Sequence, residues 1–323
     1  MIIFIIKRIL LTIPVLICIS LLIFTMLYFT PGDPTLILLP QDASESARAQ
    51  MRHELGLDRP FWIRYGDYLK NIVTHLDFGT SYTTRQSVSL ELFQKFPFTL
   101  KLALWSALVA TLFGVILGII SAVRQYTIFD NLSTIAGLMA YSMPIFWLGM
   151  LLIIAFSVNL RWFPSSGVVT WKGWILPAVT IGTNHIAKIM RMTRSCMLEV
   201  MRQDYITTAR AKGLEERVVI FKHAFGNAFI PVITTIGLTF SQTMGGAVVT
   251  ERVFSIPGIG MFIVDSIYDL NYPVVQGAVL LTAFAFSMMN LLIDIVYAFI
   301  DPRIKAQYMK KKNKTTEEKE VTK

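Results

Sequence analysis

The sequence has few charged residues and many hydrophobic ones. Of its 323 residues, 16% are charged and 54% are hydrophobic, and the mean hydropathy is +0.56. Soluble globular proteins carry about 25% charged residues, so this composition excludes an ordinary soluble domain. It also excludes a chain that is mostly disordered. We therefore expect an all-α protein that resides in a membrane.

Residues that build active sites and disulfide frameworks are scarce. Cys18 lies in an apolar run and Cys196 in a distant basic segment, so a disulfide framework has no support. No glycine is followed directly by lysine, which excludes a phosphate-binding loop of the G-x-x-x-x-G-K-[ST] type. Neither H-x-x-x-H nor C-x-x-C occurs. The histidines are scattered at His53, His75, His185 and His223. We expect a protein that is not an enzyme and holds no metal or other cofactor.

Long apolar runs are what the sequence has in abundance. A membrane-spanning helix needs about 20 mostly apolar residues. Five runs contain no charge: Ile9 to Gly32, Leu102 to Val123, Asn131 to Leu160, Ala224 to Thr250 and Leu270 to Ile293. A sixth, Gly173 to Ala187, is followed by Lys188, which can reach polar surroundings from a helix end. The runs predict six transmembrane helices.

Basic residues predict the orientation. The net charge of +9 would suggest nucleic acid in a soluble protein, but in a membrane protein basic loops mark the cytoplasmic side. Lys7 and Arg8 precede the first run, and the segment from Glu199 to Lys222 is also basic. The tail from Asp301 carries eight Lys or Arg and four acidic residues. We predict cytoplasmic N- and C-termini, lipid contact and no nucleic-acid partner. The first run is too long for a signal-peptide core of about 7–15 residues, so we expect it to be retained.

These runs divide the chain into four parts. Residues 1–32 are predicted to form the first transmembrane helix, 33–98 an extracytoplasmic segment, 99–300 a five-helix core and 301–323 a basic cytoplasmic tail. The core includes a cytoplasmic loop at about 198–226. In the outer segment, apolar residues at spacings of three and four predict an amphipathic helix that begins after Pro60: Trp62, Tyr65, Leu69, Ile72 and Leu76. We expect it to cap the membrane domain, and it could also bind an external partner.

The cytoplasmic loop is the most informative segment. Tyr205 to Lys212 reads as a short helix, and Gly213 suits the left-handed position that ends one. A second helix is predicted from Glu215 and Glu216 to about Ala224. We call the segment 204–215 the knob. The small residues in it would allow another surface to approach closely.

The spacing of this loop resembles bacterial importer permeases of the ATP-binding-cassette class. Ala209 lies four residues before Gly213, and His223-Ala224 and Asn227-Ala228 follow. The resemblance is closest to the oligopeptide/dipeptide/nickel branch. Further similar motifs occur in order along nearly the whole chain: Gly32-Asp33-Pro34, Asp77-Phe78-Gly79-Thr80-Ser81, Phe163-Pro164-Ser165-Ser166-Gly167, Phe254-Ser255-Ile256-Pro257-Gly258-Ile259-Gly260, Tyr272-Pro273 and Asp301-Pro302-Arg303.

The resemblance implies a type I importer permease fold in the bacterial inner membrane and a set of partners. These are a second permease subunit, usually a different homologous chain, two ATPase subunits that bind ATP and Mg, and an extracytoplasmic substrate-binding protein. It also implies that the knob docks on an ATPase and transmits force. The residues concerned are Tyr205, Thr207, Thr208, Ala209, Ala211, Lys212, Gly213 and Glu215. The implied cargo is a short peptide. Nickel or a metallophore is the alternative for the same architecture, and a stand-alone secondary transporter is a further alternative.

Polar and conformationally special residues inside the runs are candidates for the transport pathway or its gate. They are Met143, Pro144, Asn184, His185, Gln242, Met244, Gly245 and Gly246. Each also has a structural interpretation: hydrogen bonding between helices for the polar residues, a kink at Pro144, and close packing at Gly245-Gly246. Asp294 is the acidic residue inside the last run. A charged residue inside a span is often functional, and the structural alternative is that Asp294 is hydrated near the interface or paired with a lysine or arginine.

Overall fold

The computed structural model of the protein describes residues 2–300, and helices account for its architecture. Among the described residues, β-pairing is limited to an isolated antiparallel bridge between Thr80 and Ser87. The helices are α1 (Ile2–Phe29), α2 (Thr35–Leu38), α3 (Glu45–Glu54), α4 (Phe61–His75), α5 (Val88–Val123), α6 (Ile128–Ser142), α7 (Ile145–Leu152), α8 (Ile175–Met201), α9 (Asp204–Ala211), α10 (Glu216–Val218), α11 (Gly226–Gly246), α12 (Val248–Val253), α13 (Ile259–Tyr268) and α14 (Tyr272–Ile300). π-Helical turns at Ile153–Asn159 and Val219–Phe225 follow α7 and α10. The all-α prediction is confirmed.

Within the described residues, 4 helices are long and apolar enough to cross a membrane, and a bent pair could supply a fifth crossing. The four are α1, α5, α14 and the continuous helix Glu216–Gly245. α8 has 27 residues, about 40 Å at 1.5 Å per residue, but it is too polar to belong to this set. A sixth crossing and cytoplasmic termini therefore stay predictions. The predicted tail 301–323 lies outside the described residues.

α5 and α8 form the centre of the core. α5 has 36 residues and begins at Val88, well before the uncharged run that starts at Leu102. The two helices approach so closely that a Cβ on Gly114 would lie 2.8 Å from Cβ of Ile189, and one on Gly118 would lie 2.6 Å from Cβ of Thr193. Glycine at these positions lets the backbones meet, as is common where helices pack in membranes.

The predicted third span is broken rather than kinked. α6 and the helical stretch Ile145–Asn159 are bent by 105° to each other. Met143 and Pro144 between them both have extended ψ angles, 132° and 131°. A proline kink alone keeps a helix running in roughly one direction, so the bend at Pro144 is sharper than the expected kink. A single crossing from Asn131 to Leu160 stays a prediction, because the bent pair can still form one broken span.

The outer segment forms a cap on α1. α4 starts after Pro60 and ends at His75, and its C-cap Leu76 has a left-handed backbone, so the predicted amphipathic helix is confirmed. Its packed face is rotated from the predicted one, because Trp62 and Leu76 are 70% and 71% exposed. Tyr65 is buried, and its hydroxyl lies 2.9 Å from Oγ of Ser20 on α1. The ring of Phe24 on α1 also lies against Phe61 and Tyr65, so α1 selects the face of α4 that is buried.

The outer stretch that follows the predicted fifth span forms a bent segment. The helix ends at Gly246, and α12 and α13 are joined by a tight turn. The carboxylate of Glu251 is fully buried beneath this turn, where Oε1 accepts a hydrogen bond from Thr99 Oγ1 and Oε2 accepts one from the Met261 backbone N–H. Glu251 thus satisfies an N–H in the first turn of α13 that the helix itself leaves unpaired.

Candidate coupling loop and pathway residues

The knob begins with α9, and a glycine follows the end of this helix. The C-cap is Lys212, and Gly213 follows with φ +75°, the left-handed conformation that glycine adopts without a Cβ penalty. The predicted role of Gly213 in ending the helix is confirmed. A Cβ placed on it would have no neighbour within 4 Å, so in this chain the glycine faces open space.

A two-point ion pair holds the two sides of this turn together. Arg210 on α9 donates from Nη2 to Oε1 of Glu216 at 2.8 Å and from Nε to Oε2 at 3.2 Å. The hydrogen bond to Glu216 raises the pKa of the Arg210 guanidinium above its usual value. Paired hydrogen bonds of this kind fix orientation as well as distance, so the turn at Gly213 has a defined shape.

Ala209 faces inward, toward the protein's own core. Ile206 and Ala209 are buried in a cluster with Ile119 of α5 and Met197 of α8. The prediction treated Ala209 as part of a surface open to another subunit, and its side chain does not lie there. The remaining predicted knob residues are exposed: Tyr205, Thr207, Thr208, Ala211, Lys212, Gly213 and Glu215. α9 is therefore amphipathic, and its apolar face packs on α5 and α8.

The predicted second short helix is not a separate element. Helical backbone begins at Glu216 and continues through the π-helical turn into α11, as one helix of 30 residues to Gly245. The prediction of a helical pair ending near Ala224 was wrong in this respect. The knob is thus joined directly to the predicted fifth span, so a displacement of one must move the other.

Two of the predicted pathway residues lie side by side on facing helices. Nε2 of His185 on α8 lies 2.8 Å from Oγ1 of Thr243 on α11. Lys188 donates from Nζ to Oε1 of Gln242 at 2.9 Å. The structure thus places His185 and Gln242 at the same contact between α8 and α11, through Thr243 and Lys188. Asn184 precedes His185 on α8 and is half-buried.

The other candidates have different surroundings. Met244 is buried against Ala103 and Phe240, which matches the packing interpretation. Gly245 is exposed and has open space around it, and Gly246 is the last residue of α11. Met143 and Pro144 form the break between α6 and α7.

A buried ion pair near the knob was missed by the sequence reasoning. Arg194 on α8 donates to both carboxylate oxygens of Asp130 on α6, from Nε and Nη2, each at 2.8 Å. Asp130 also accepts hydrogen bonds from the Ser121 hydroxyl and the Tyr126 backbone N–H. The available signal was an acidic residue at the start of an apolar run, on the side where basic residues predominate.

Asp294 forms an ion pair, which agrees with the interpretation that it pairs with a basic residue. Its Oδ2 lies 2.9 Å from Nη1 of Arg8 on α1. The pair ties the first helix to the last at the end that the basic residues assign to the cytoplasm. A structural role therefore accounts for the acidic residue in the last span.

Comparison with protein families gives two matches that together cover most of the chain. Residues 114–306 match the family described as binding-protein-dependent transport system inner membrane component. Residues 1–103 match the N-terminal region of the same kind of membrane component.

Individual relatives are similar over nearly their full length. The chain is 40% identical to the dipeptide transport system permease protein DppB of Alkalihalophilus pseudofirmus, over 93% of this chain and 98% of the relative. It is also 40% identical to the glutathione transport system permease protein GsiC of Salmonella typhimurium, over 94% and 98%.

Two solved structures have a similar fold. A chain of the inward-facing MetNI methionine ABC transporter aligns with a TM-score of 0.54 at 17% identity, covering 66% of this chain and 97% of that one. A chain of an amino acid ABC transporter aligns with a TM-score of 0.50 at 12% identity, covering 67% and 94%. The expected importer permease fold is thereby confirmed.

Proposed function

The chain belongs to the family of inner-membrane components of binding-protein-dependent transport systems, and from that premise we propose that it forms half of an import pathway for short peptides. As a family member it is a multi-pass protein of the bacterial inner membrane and a transport subunit rather than an enzyme. ATPase subunits, a substrate-binding protein and a second permease are the partners that membership implies.

Peptide cargo is supported by the relatives. Those at 40% identity are described as dipeptide, di/tripeptide and glutathione permeases, and all three cargoes are small peptides with free carboxylates. The similarity extends over almost the whole chain, including the helices that contain His185 and Gln242. It favours a peptide over nickel or a metallophore.

The mechanism that we propose is mechanical coupling through the knob. ATP and Mg bind on the separate ATPase subunits, and the exposed side of α9 with Gly213 docks on one of them. The observation that carries this proposal is the continuity of the helix from Glu216 to Gly245. A push on the knob is transmitted along this helix to Gln242 and Thr243, whose contacts with α8 then change.

The partners are tested by purification from the native membrane. We expect the tagged chain to copurify with two kinds of large partner, ATPase subunits and a second permease, and the reconstituted complex to import a dipeptide when ATP and the binding protein are supplied. A complex that imports nickel and no peptide would contradict the cargo. A chain that purifies alone and transports without an ATPase would contradict the whole proposal.

The knob is tested by Gly213→Asp, with Gly167→Asp as the matched control. Both glycines have φ +75° and no atom within 4 Å of a Cβ placed on them, so both variants carry the same backbone strain. Gly167 lies in a loop far along the chain from the knob. We expect Gly213→Asp to lower ATP-dependent uptake at least tenfold, about 1.4 kcal/mol of coupling, and the control to retain it. Equal uptake by the two variants would remove Gly213 from the docking surface.

A further inference from the structure

One face of α8 is polar from Asn184 to Ser195. Asn184, Lys188, Arg191 and Ser195 recur at spacings of four, three and four residues, which places them on one side of an α-helix. The opposite side is buried, with Ile189, Met190, Thr193 and Met197 packed into the core. α8 is therefore a helix with one polar side that its own chain leaves partly open.

The contacts of α8 with α5 give the depth of this face. A Cβ on Gly182 would lie 3.3 Å from the Ser106 carbonyl oxygen, and Gly114 meets Ile189. The middle of the uncharged run from Leu102 to Val123 lies between Ser106 and Gly114, close to Gly114. Lys188 is the neighbour of Ile189 in sequence. Its Cα is therefore at the level of the centre of an apolar membrane span.

The two cations on this face have no acidic partner in the part of the chain that the structure describes. Lys188 donates to the neutral amide oxygen of Gln242. The guanidinium carbon of Arg191 lies 5.2 Å from the centre of the Tyr141 ring. The ion pairs found within residues 2–300 involve other residues. A cation at this depth is costly in lipid and is normally found facing water or a counter-charge.

We propose that Lys188 and Arg191 line the water-filled pathway and bind the carboxylate of the transported peptide. This inference rests on the proposed peptide import. Peptides of different sequence have in common their termini and backbone, so a pathway that accepts many of them can recognise a free carboxylate. Two cations one turn apart without acidic neighbours give the pathway a positive potential that attracts an anion. Gln242 holds the Lys188 ammonium in place.

The first test compares one dipeptide with its C-terminal amide in the complete reconstituted transporter. We expect Lys188→Gln to lower uptake of the free acid about tenfold, the loss of a charge-assisted hydrogen bond, and uptake of the amide by much less. The control is Lys101→Gln, which removes a cation from the exposed side of α5. Because each variant is compared with the wild type for each cargo, discrimination by the binding protein cancels. Equal losses for the acid and the amide would overturn the proposal.

The second test measures water access directly. In a chain whose Cys18 and Cys196 have been replaced, we expect Lys188→Cys in the assembled complex to react with a charged, membrane-impermeant thiol reagent. Excess peptide acid should slow the reaction. A cysteine that reacts only with a neutral, lipid-soluble reagent would place the face against lipid or a partner subunit and overturn the proposal. If the wild-type complex imports no peptide, the proposed function fails instead, and the reactivity of the cysteine still decides whether the face lines a pathway.

Discussion

At the scale of single residues, the pair formed by Asp130 and Arg194 joins three helices in the half of the protein that carries the knob. The Asp130 side chain is 4% exposed and that of Arg194 is 28% exposed. Removing one partner of a buried pair leaves an uncompensated charge and costs about 3–5 kcal/mol. The pair therefore has far more effect on folding than an ion pair at the surface.

We predict that Arg194→Met destabilises the protein by about 3 kcal/mol, because the Asp130 carboxylate would stay buried without its cation. The double variant Asp130→Asn/Arg194→Met should recover part of this loss. The control is Arg59→Met, which removes an exposed pair with Asp67 and should change little. Thermal unfolding of the purified protein in detergent measures all three. A double variant that is no more stable than Arg194→Met would contradict coupling of the two residues.

A second residue-level prediction concerns the glycines above Glu251. A Cβ on Gly258 would overlap the carboxylate of Glu251, and one on Gly260 would lie 2.7 Å from the Val248 Cα. Gly258→Ala should therefore destabilise the protein by about 1–3 kcal/mol, since the overlap can be relieved only by moving buried groups. Gly66→Ala is the control, because nothing lies within 4 Å of a Cβ there and alanine is the better helix former. A fall in the unfolding temperature with Gly66→Ala and none with Gly258→Ala would contradict the packing described.

At the scale of elements, the sharp angle between α6 and α7 depends on packing as well as on proline. Gly149 of α7 is buried, and a Cβ there would lie 3.2 Å from Phe254, 3.3 Å from Val253 and 3.4 Å from Thr180. α7 is thus held by α8 and α12. Proline disfavours a continuous helix, and these contacts decide the direction that the chain takes after the break.

We predict that Pro144→Ala leaves the angle unchanged and that Gly149→Leu alters it, because a large side chain cannot fit between α7 and α12. Spin labels at the exposed positions Ile135 and Val158 would report the distance between the two helices. A distance in Pro144→Ala that matches a straight helix would show that proline alone causes the break. An unchanged distance in Gly149→Leu would show that the contacts of α7 do not hold it.

At the scale of the whole molecule, the distribution of basic residues divides the protein into two sides. The knob and the N-terminal end of α1 carry basic residues, whereas the cap formed by α4 has mixed charge. Basic loops are retained in the cytoplasm, and long segments cross the membrane largely regardless of charge. The cap and the knob should therefore lie on opposite sides of the membrane.

We predict that a cysteine at Thr74 reacts with an impermeant reagent in intact cells and that one at Thr207 reacts only after permeabilisation. Both positions are exposed, and Cys18 and Cys196 are replaced in both chains. Labelling of both cysteines from the same side would contradict the topology and, with it, the placement of the knob against an ATPase.

Local patterns in the sequence were sufficient to predict the class of protein and where several of its helices begin and end. The scarcity of charge and the long apolar runs predicted a helical membrane protein, Pro60 predicted the start of α4, and Gly213 predicted the end of α9. The order of motifs predicted the family. These features depend on residues that are neighbours along the chain, whose conformational preferences and hydrophobicity can be read without knowledge of what packs on them.

The tertiary structure decided which face of each element is buried. Ala209 is directed inward by Ile119 and Met197, the packed face of α4 is set by α1, and the direction of α7 is set by α12. Asp130 meets Arg194, and Lys188 meets Gln242, only because α8 lies between α6 and α11. Such contacts join residues far apart in sequence, and a residue's own propensity carries no record of its distant neighbours. The sequence alone therefore determined what kind of protein this is, and tertiary packing determined which residues form the candidate pathway.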